Sequence, residues 1–193
     1  MEQEQEKEEL MLLSIMGEDR PGLTASIMAV LAKYNVHVQD IGQADIHSSL
    51  SLGILIRVEE RNSGKVMKEV LFKATELNVT VRFVPISLEQ YEAWVGRQGK
   101  NRYMLTVLGR RLEARQIGAV AQLIAEQGLN IDAIIRLSGR SSLVHPMEKT
   151  RACIEFSVRG TPKDKNELHA ALLKMSSEME IHCSFQRDNM YRR

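Results

Sequence analysis

Residues 12–17 read "LLSIMG", and residues 104–109 read "MLTVLG", an offset of 92 residues (104 − 12). Each is a short apolar run closed by glycine, which reads as a strand ending at a turn. The segments after the two runs also match in order. After the first, Leu23, Ile27, Val30, Leu31 and Tyr34 recur at helical spacing. "VHVQDIGQADI" (36–46) and "LSLGILIRV" (50–58) read as strands, "ERNSG" (60–64) as a break. Val66, Val70, Ala74 and Leu77 mark a second helix, and "VTVRFV" (79–84) a further strand. After the second run come the helical stripe Ile117, Val120, Ala121, Ile124, the strands "LNIDAII" (129–135) and "RACIEFSVRG" (151–160), the stripe Leu168, Leu172, Met175, Met179, and "EIHCSF" (180–185). The order βαββαβ occurs twice.

A βαββαβ unit is the split βαβ, ferredoxin-like plan, a four-stranded antiparallel sheet with both helices on one face. The expected fold class is therefore α+β, with a tail at 1–9, domains at 10–86 and 101–188, and a joining segment at 87–100. In that segment Tyr91 and Trp94 suit either a short helical brace or a flexible linker. "SGRSSLVHPMEKT" (138–150) reads as a polar excursion between strands. The plan sets Cys153 and Cys183 two strand spacings apart, roughly 9–10 Å, beyond disulfide reach, so free thiols are expected.

Composition excludes several functions. Among 193 residues 44% are hydrophobic and 26% charged, with a net charge of +1. That balance gives no electrostatic case for nucleic acid or an anionic membrane. No apolar run approaches the roughly 18 residues a membrane helix needs. Two cysteines without CxxC spacing suit a reducing cytoplasm, and five scattered histidines form no metal motif. No nucleophile with a neighbouring base, no P-loop and no carboxylate cluster for Mg²⁺ is visible, so the chain by itself is not read as an enzyme.

The corner "GEDRPGLTASI" (17–27) is the candidate site. Glycine and proline here can be turn chemistry alone. A helix start also offers unpaired N–H groups to an anion. With Pro21 in the first turn, the amides of Gly22, Leu23 and Thr24 would face a ligand carboxylate. Asp40, followed by Ile41 and a Gly42 that leaves room, would receive an ammonium group; Asp19 is an alternative, unless it caps the helix or pairs with Arg20. Such contacts support micromolar to millimolar binding, about −4 to −8 kcal/mol. In the second copy Arg110-Arg111-Leu112-Glu113 replaces the acid and Pro-Gly, which reads as a degenerate site serving packing.

Asp19-Arg20-Pro21-Gly22 between an apolar strand and an amphipathic helix, in a tandem βαββαβ chain, resembles the ACT-domain family of amino-acid-sensing modules. The stretches "GKNRYMLTVLGR", "TRACIEFSVRGTPKDK" and "FQRDNMYRR" are similar to the amino-terminal region of bacterial phosphoserine phosphatases with two ACT domains. This resemblance implies a ligand site of Asp19, Arg20, Pro21, Gly22, Leu23, Asp40, Ile41 and Gly42, shared between one module's corner and a paired module's strand. Serine is the suspected effector. The resemblance also implies a homodimer through sheet edges or helices and a cytoplasmic location. Residues 189–193 would begin a connection to a haloacid-dehalogenase-class domain that hydrolyses O-phospho-L-serine with Mg²⁺; its Asp-x-Asp motif is absent from this chain. The alternatives are a stand-alone tandem regulator of the glycine-cleavage repressor type and a ligand-free dimerisation module.

Overall fold

The computed structural model describes residues 7–98, 101–139 and 151–188. The first unit runs β1 (Glu8–Glu18), α1 (Leu23–Ala32), β2 (His37–Ile46), β3 (Ser49–Glu59), α2 (Glu60–Glu76) and β4 (Val79–Ile86). The helix α3 (Leu88–Gln98) follows. The second unit runs β5 (Arg102–Gly109), α4 (Ala114–Glu126), β6 (Asn130–Arg136), β7 (Ala152–Arg159), α5 (Lys165–Glu178) and β8 (Ile181–Arg187). Each unit holds one four-stranded antiparallel sheet, ordered β2-β3-β1-β4 and β6-β7-β5-β8. The α+β ferredoxin-like plan is therefore present twice.

Strand alternation explains where each core lies. On β3, Leu50, Leu52, Ile54, Ile56 and Val58 are buried while the residues between them are not. They meet Leu13 and Ile15 of β1, Ile27 and Leu31 of α1, and Val66 and Val70 of α2. In the second unit Leu105, Phe156, Val158, Val120, Ile124 and Leu168 do the same. Each fully buried side chain of this size contributes about 1.5–3 kcal/mol of transfer free energy. The opposite sheet faces carry the alternating polar set, including Ser14, Ser51, Arg57, Thr106, Glu155 and Ser157.

The two helices of the first unit are also tied at the surface. Glu69 of α2 accepts from Lys33 Nζ at 2.8 Å and from the Tyr34 hydroxyl at 2.5 Å. The Lys33 and Tyr34 hydrogen bonds hold the Glu69 carboxyl below its ordinary range, and the bond to Glu69 raises the Tyr34 phenol.

The structure corrects several boundaries. "ERNSG" is not a break but the first turn of α2. Glu59 Oε2 accepts from Arg61 and Asn62, Ser63 is buried, and the helix tolerates Gly64 on its exposed side. β1 begins at Glu8 rather than within a tail, where Glu60 N–H donates to the Lys7 carbonyl at 2.9 Å. The joining segment is mostly helical. Ser87 and Gln90 form reciprocal start contacts of 2.9 and 3.1 Å, a capping-box pattern, and Tyr91 packs near Trp94 and donates to Gln39 of β2. Of the 138–150 excursion, residues 140–150 lie outside the described residues, as do 1–6 and 189–193 of the two terminal readings.

Cys153 and Cys183 are free, and for a stronger reason than distance. Cys153 lies between buried Ala152 and Ile154 and so points to the open face. Cys183 packs against the second core on the other face. Burial pushes the Cys183 thiol up, partly opposed by the Ser176 hydroxyl.

Candidate functional site

The corner is built by three separate anchors. Gly17 passes so close to β4 that a Cβ there would sit 2.6 Å from Val79 Cγ1. Asp19 N–H donates to the Ser48 carbonyl of the β2–β3 hairpin at 2.9 Å. The Arg20 guanidinium donates to the Leu77 carbonyl, at the C-terminal end of α2.

Between these anchors Arg20-Pro21-Gly22-Leu23 forms a type II turn. Gly22 has φ 86° and ψ −1°, and Leu23 N–H reaches the Arg20 carbonyl at 3.3 Å. Pro21 presets the first central position of such a turn, and the second needs positive φ. Pro21 therefore precedes the helix instead of occupying its first turn, and Gly22 is the N-cap. No side chain caps α1. Leu23 seals the turn by burying itself in the core, and its amide is spent on Arg20.

The remaining donors are open. Among the described residues, the amides of Gly22, Thr24 and Ala25 meet no acceptor in the chain. Gly22 O accepts from Ser26 N–H at 2.9 Å and Ser26 Oγ at 2.8 Å. Thr24 Oγ1 donates to Gln43 Oε1 at 2.9 Å, which fixes the helix start against β2. Three amides at the positive end of a helix suit a carboxylate.

Space around Gly22 is free, with no heavy atom within 4 Å of a built Cβ. Gly22→Ala is therefore expected to cost about 1–2 kcal/mol through left-handed strain alone, read as a lower urea midpoint of the first unit. An unchanged midpoint would argue that the turn relaxes to another type.

The other expected contacts lie elsewhere. Asp40 is opposite Leu55, itself opposite Leu12, whereas the corner leaves β1 at Gly17. Five residues along the strand and two strand spacings across separate Asp40 from Gly17, roughly 20 Å, whereas the helix start meets β2 at Gln43, next to Gly42 and three residues from Asp40. Asp40 and Gly42 share the open face; Asp40 Oδ1 accepts from Ile41 N–H at 2.9 Å, and Ile41 points to the helix face. Asp19 neither caps α1 nor closes onto Arg20, which is turned to Leu77. One unit thus brings together Asp19, Arg20, Pro21, Gly22 and Leu23, and sets Asp40, Ile41 and Gly42 on the strand beside them, where the direct contact with the helix start is made by Gln43. Gln43 and Ser48 are the contacts that sequence reading missed. Gln43 is two residues beyond Ile41 on the same face, a signal that alternation carries.

The second corner is closed in part: the amides of Glu113 and Gln116 are taken up, while among the described residues those of Ala114 and Arg115 meet no acceptor. Glu113 and Gln116 form a full capping box on α4, with Glu113 N–H donating to Gln116 Oε1 at 2.7 Å. Gln116 Nε2 then donates to the carbonyl of Met179, the C-cap of α5, at 3.3 Å. Arg110 and Arg111 are exposed.

A cleft of about 660 Å³ opens at the other end of the first unit, between Leu10, Met67, Phe83 and Leu88. It is lined mainly by apolar groups, and its Arg57 and Glu8 already pair with each other at 3.0 Å. Among the described residues no three His, Cys, Asp or Glu side chains group to hold a metal, and no helix is long and apolar enough to cross a membrane.

Two ferredoxin-like units in tandem, the first with an uncapped leading helix and the second with a capping box, make up the chain. The chain belongs to the ACT-domain family, whose models match residues 9–84 and 102–186. It is 29% identical over 184 residues to a phosphoserine phosphatase of Streptomyces coelicolor, covering 95% of this chain and 41% of that protein. It is 25% identical over 171 residues to a phosphoserine phosphatase of Mycobacterium tuberculosis, covering 88% of this chain and 39% of that one. The chain thus spans about 40% of the length of these curated relatives. A solved structure described as a putative glycine cleavage system transcriptional repressor matches with a TM-score of 0.67 at 12% identity, covering 94% of this chain and 98% of its own. That likeness concerns the fold.

Proposed function

We propose that this chain is the amino-acid-sensing region of a phosphoserine phosphatase, and that a small amino acid, serine first among them, binds at the Gly22–Ala25 corner of the first unit. The observation carrying this reading is the uncapped start of α1, with the amides of Gly22 and Ala25 open where the second unit spends the matching pair, Glu113 and Gln116, on a capping box. The ligand carboxylate takes the amides of Gly22, Thr24 and Ala25. Asp40, Ile41 and Gly42 of a paired ACT module then approach its ammonium group. Similarity to two phosphoserine phosphatases over almost the whole of this chain supports the enzyme assignment.

In this reading the Mg²⁺-dependent hydrolysis of O-phospho-L-serine in the cytoplasm belongs to a domain joined after Arg193. Edge strands β2 and β4 are available for pairing, as exposed edges generally are. A ligand bridging two modules stabilises the paired state by its differential affinity, and the pairing biases the catalytic domain.

Calorimetric titration with L-serine tests the site. The expected result is micromolar to millimolar affinity, with amide shifts concentrated at Gly22, Thr24 and Ala25. Absence of heat and of shifts at about 10 mM serine, a concentration above the weakest affinity in that range, would refute it.

A further inference from the structure

In both units the carbonyl at the end of the second helix accepts a hydrogen bond from a side chain at the junction of the first strand and first helix. In the second unit the donor is Gln116, inside α4, and the acceptor is Met179, the C-cap of α5. In the first unit the acceptor is Leu77, the C-cap of α2, and the donor is Arg20, outside α1 and ahead of its turn. Both acceptors stand just before the last strand of their sheets, and both sheets show the same close approach there. Gly17 packs on Val79, and Gly109 on Ile181, where a Cβ would meet Cγ2 at 3.3 Å. Each unit thus carries a tie at this point, made in a different way.

The two ways leave the helix start in opposite states. Gln116 performs two tasks, because its Oε1 accepts from Glu113 N–H while its Nε2 donates to Met179. Its tie comes with a capping box. Arg20 makes the tie from the loop, so no side chain has to enter the first turn of α1, and the amides there remain open. A guanidinium is suited to this task, since its charge complements the negative end of α2 and its reach spans the turn. With its donor edge committed to Leu77, Arg20 is turned away from the Gly22–Ala25 amides.

We propose that Arg20 is a positioning residue, a latch that fastens the β1–α1 corner to the C-terminal end of α2 and thereby holds the amides of Gly22, Thr24 and Ala25 open for a carboxylate. This deepens the proposed ligand site by assigning Arg20 to its support instead of to ligand contact. It also gives occupancy of the corner a route to α2 and β4.

The latch can be tested in the full chain without ligand. Leu77 N–H bonds to Lys73 O at 2.9 Å and Asn78 N–H to Thr75 O at 3.0 Å, so both amides report on the end of α2. Arg20→Ala is expected to speed their hydrogen exchange about tenfold or more, as loss of a charge-assisted bond implies, and to shift the amides of Gly22–Ala25. Arg20→Lys, which retains a charged donor, should restore most of the protection. Gln116→Ala should act likewise on Met179, leaving Leu77 untouched. Unchanged exchange at Leu77 and Asn78 in Arg20→Ala would overturn the latch, and a fall in serine affinity alongside that result would make Arg20 a direct ligand contact. If the wild-type chain binds no serine, the proposed function fails, while the exchange data still decide the latch.

Discussion

Phe156→Ala should lower the stability of the second unit by about 3–5 kcal/mol and leave the first unit folded. Phe156 is fully buried on the helix face of β7, with Leu105 of β5 beside it on one side and Ile134 of β6 on the other. Truncation removes the largest fully buried side chain of that core and opens a cavity in a sheet that cannot easily collapse around it. A unit of this size has roughly 5–15 kcal/mol in total, so the loss is a large fraction. Each unit has its own core cluster. Urea denaturation followed by amide spectra should therefore show second-unit resonances lost at low denaturant while Leu13 and Ile54 stay dispersed. A single shared transition in the variant would show that the units depend on each other for stability.

Gly17→Ala should destabilise the first unit by about 1–3 kcal/mol, the usual range for overpacking. The added methyl meets Val79 Cγ1 at 2.6 Å, but also Val79 Cβ at 3.0 Å and Cα at 3.1 Å. A rotamer change of Val79 relieves only the first contact; the backbone of β4 has to move for the others. Because Leu77 and Thr80 hold the corner on either side of Val79, the shift should reach the open amides and weaken the proposed serine binding as well. Pairing the change with Val79→Ala should recover part of the stability, a coupling of about 0.5–3 kcal/mol for residues in contact. Additive behaviour in this cycle would rule out the contact as the cause.

The fold is legible in the sequence wherever its cause is local. The two βαββαβ units follow from alternation and helical spacing, and both are present in the structure. Sequence reading shortens α2 because Asn62, Ser63 and Gly64 are poor helix formers, yet Glu59 serves Arg61 and Asn62 together and Ser63 finds a buried place. α3 carries a readable signal in Ser87 and Gln90, but no residue of it is buried, so periodicity gives no support. Asp40 escapes sequence reading for a subtler reason. Both second strands shift register by one residue, between Val38 and Asp40 and between Ile131 and Ala133. Without that bulge Asp40 would share the helix face with Val38; with it, Asp40 turns to the open face. Nothing in local composition marks such an insertion. The contacts of Arg20 with Leu77 and of Thr24 with Gln43 are equally silent, since they join residues far apart in the chain.

Gly22 has one further bearing. As an N-cap, glycine weakens a helix by only a few tenths of a kcal/mol relative to serine or aspartate, because water hydrates the bare amides. An aspartate there would stand where a visiting carboxylate must stand, and would compete with it at the far higher local concentration of a tethered group. The first unit therefore gives up almost nothing by keeping a watered helix end, and any acid that settles on it finishes the helix and shifts folding toward that unit by mass action.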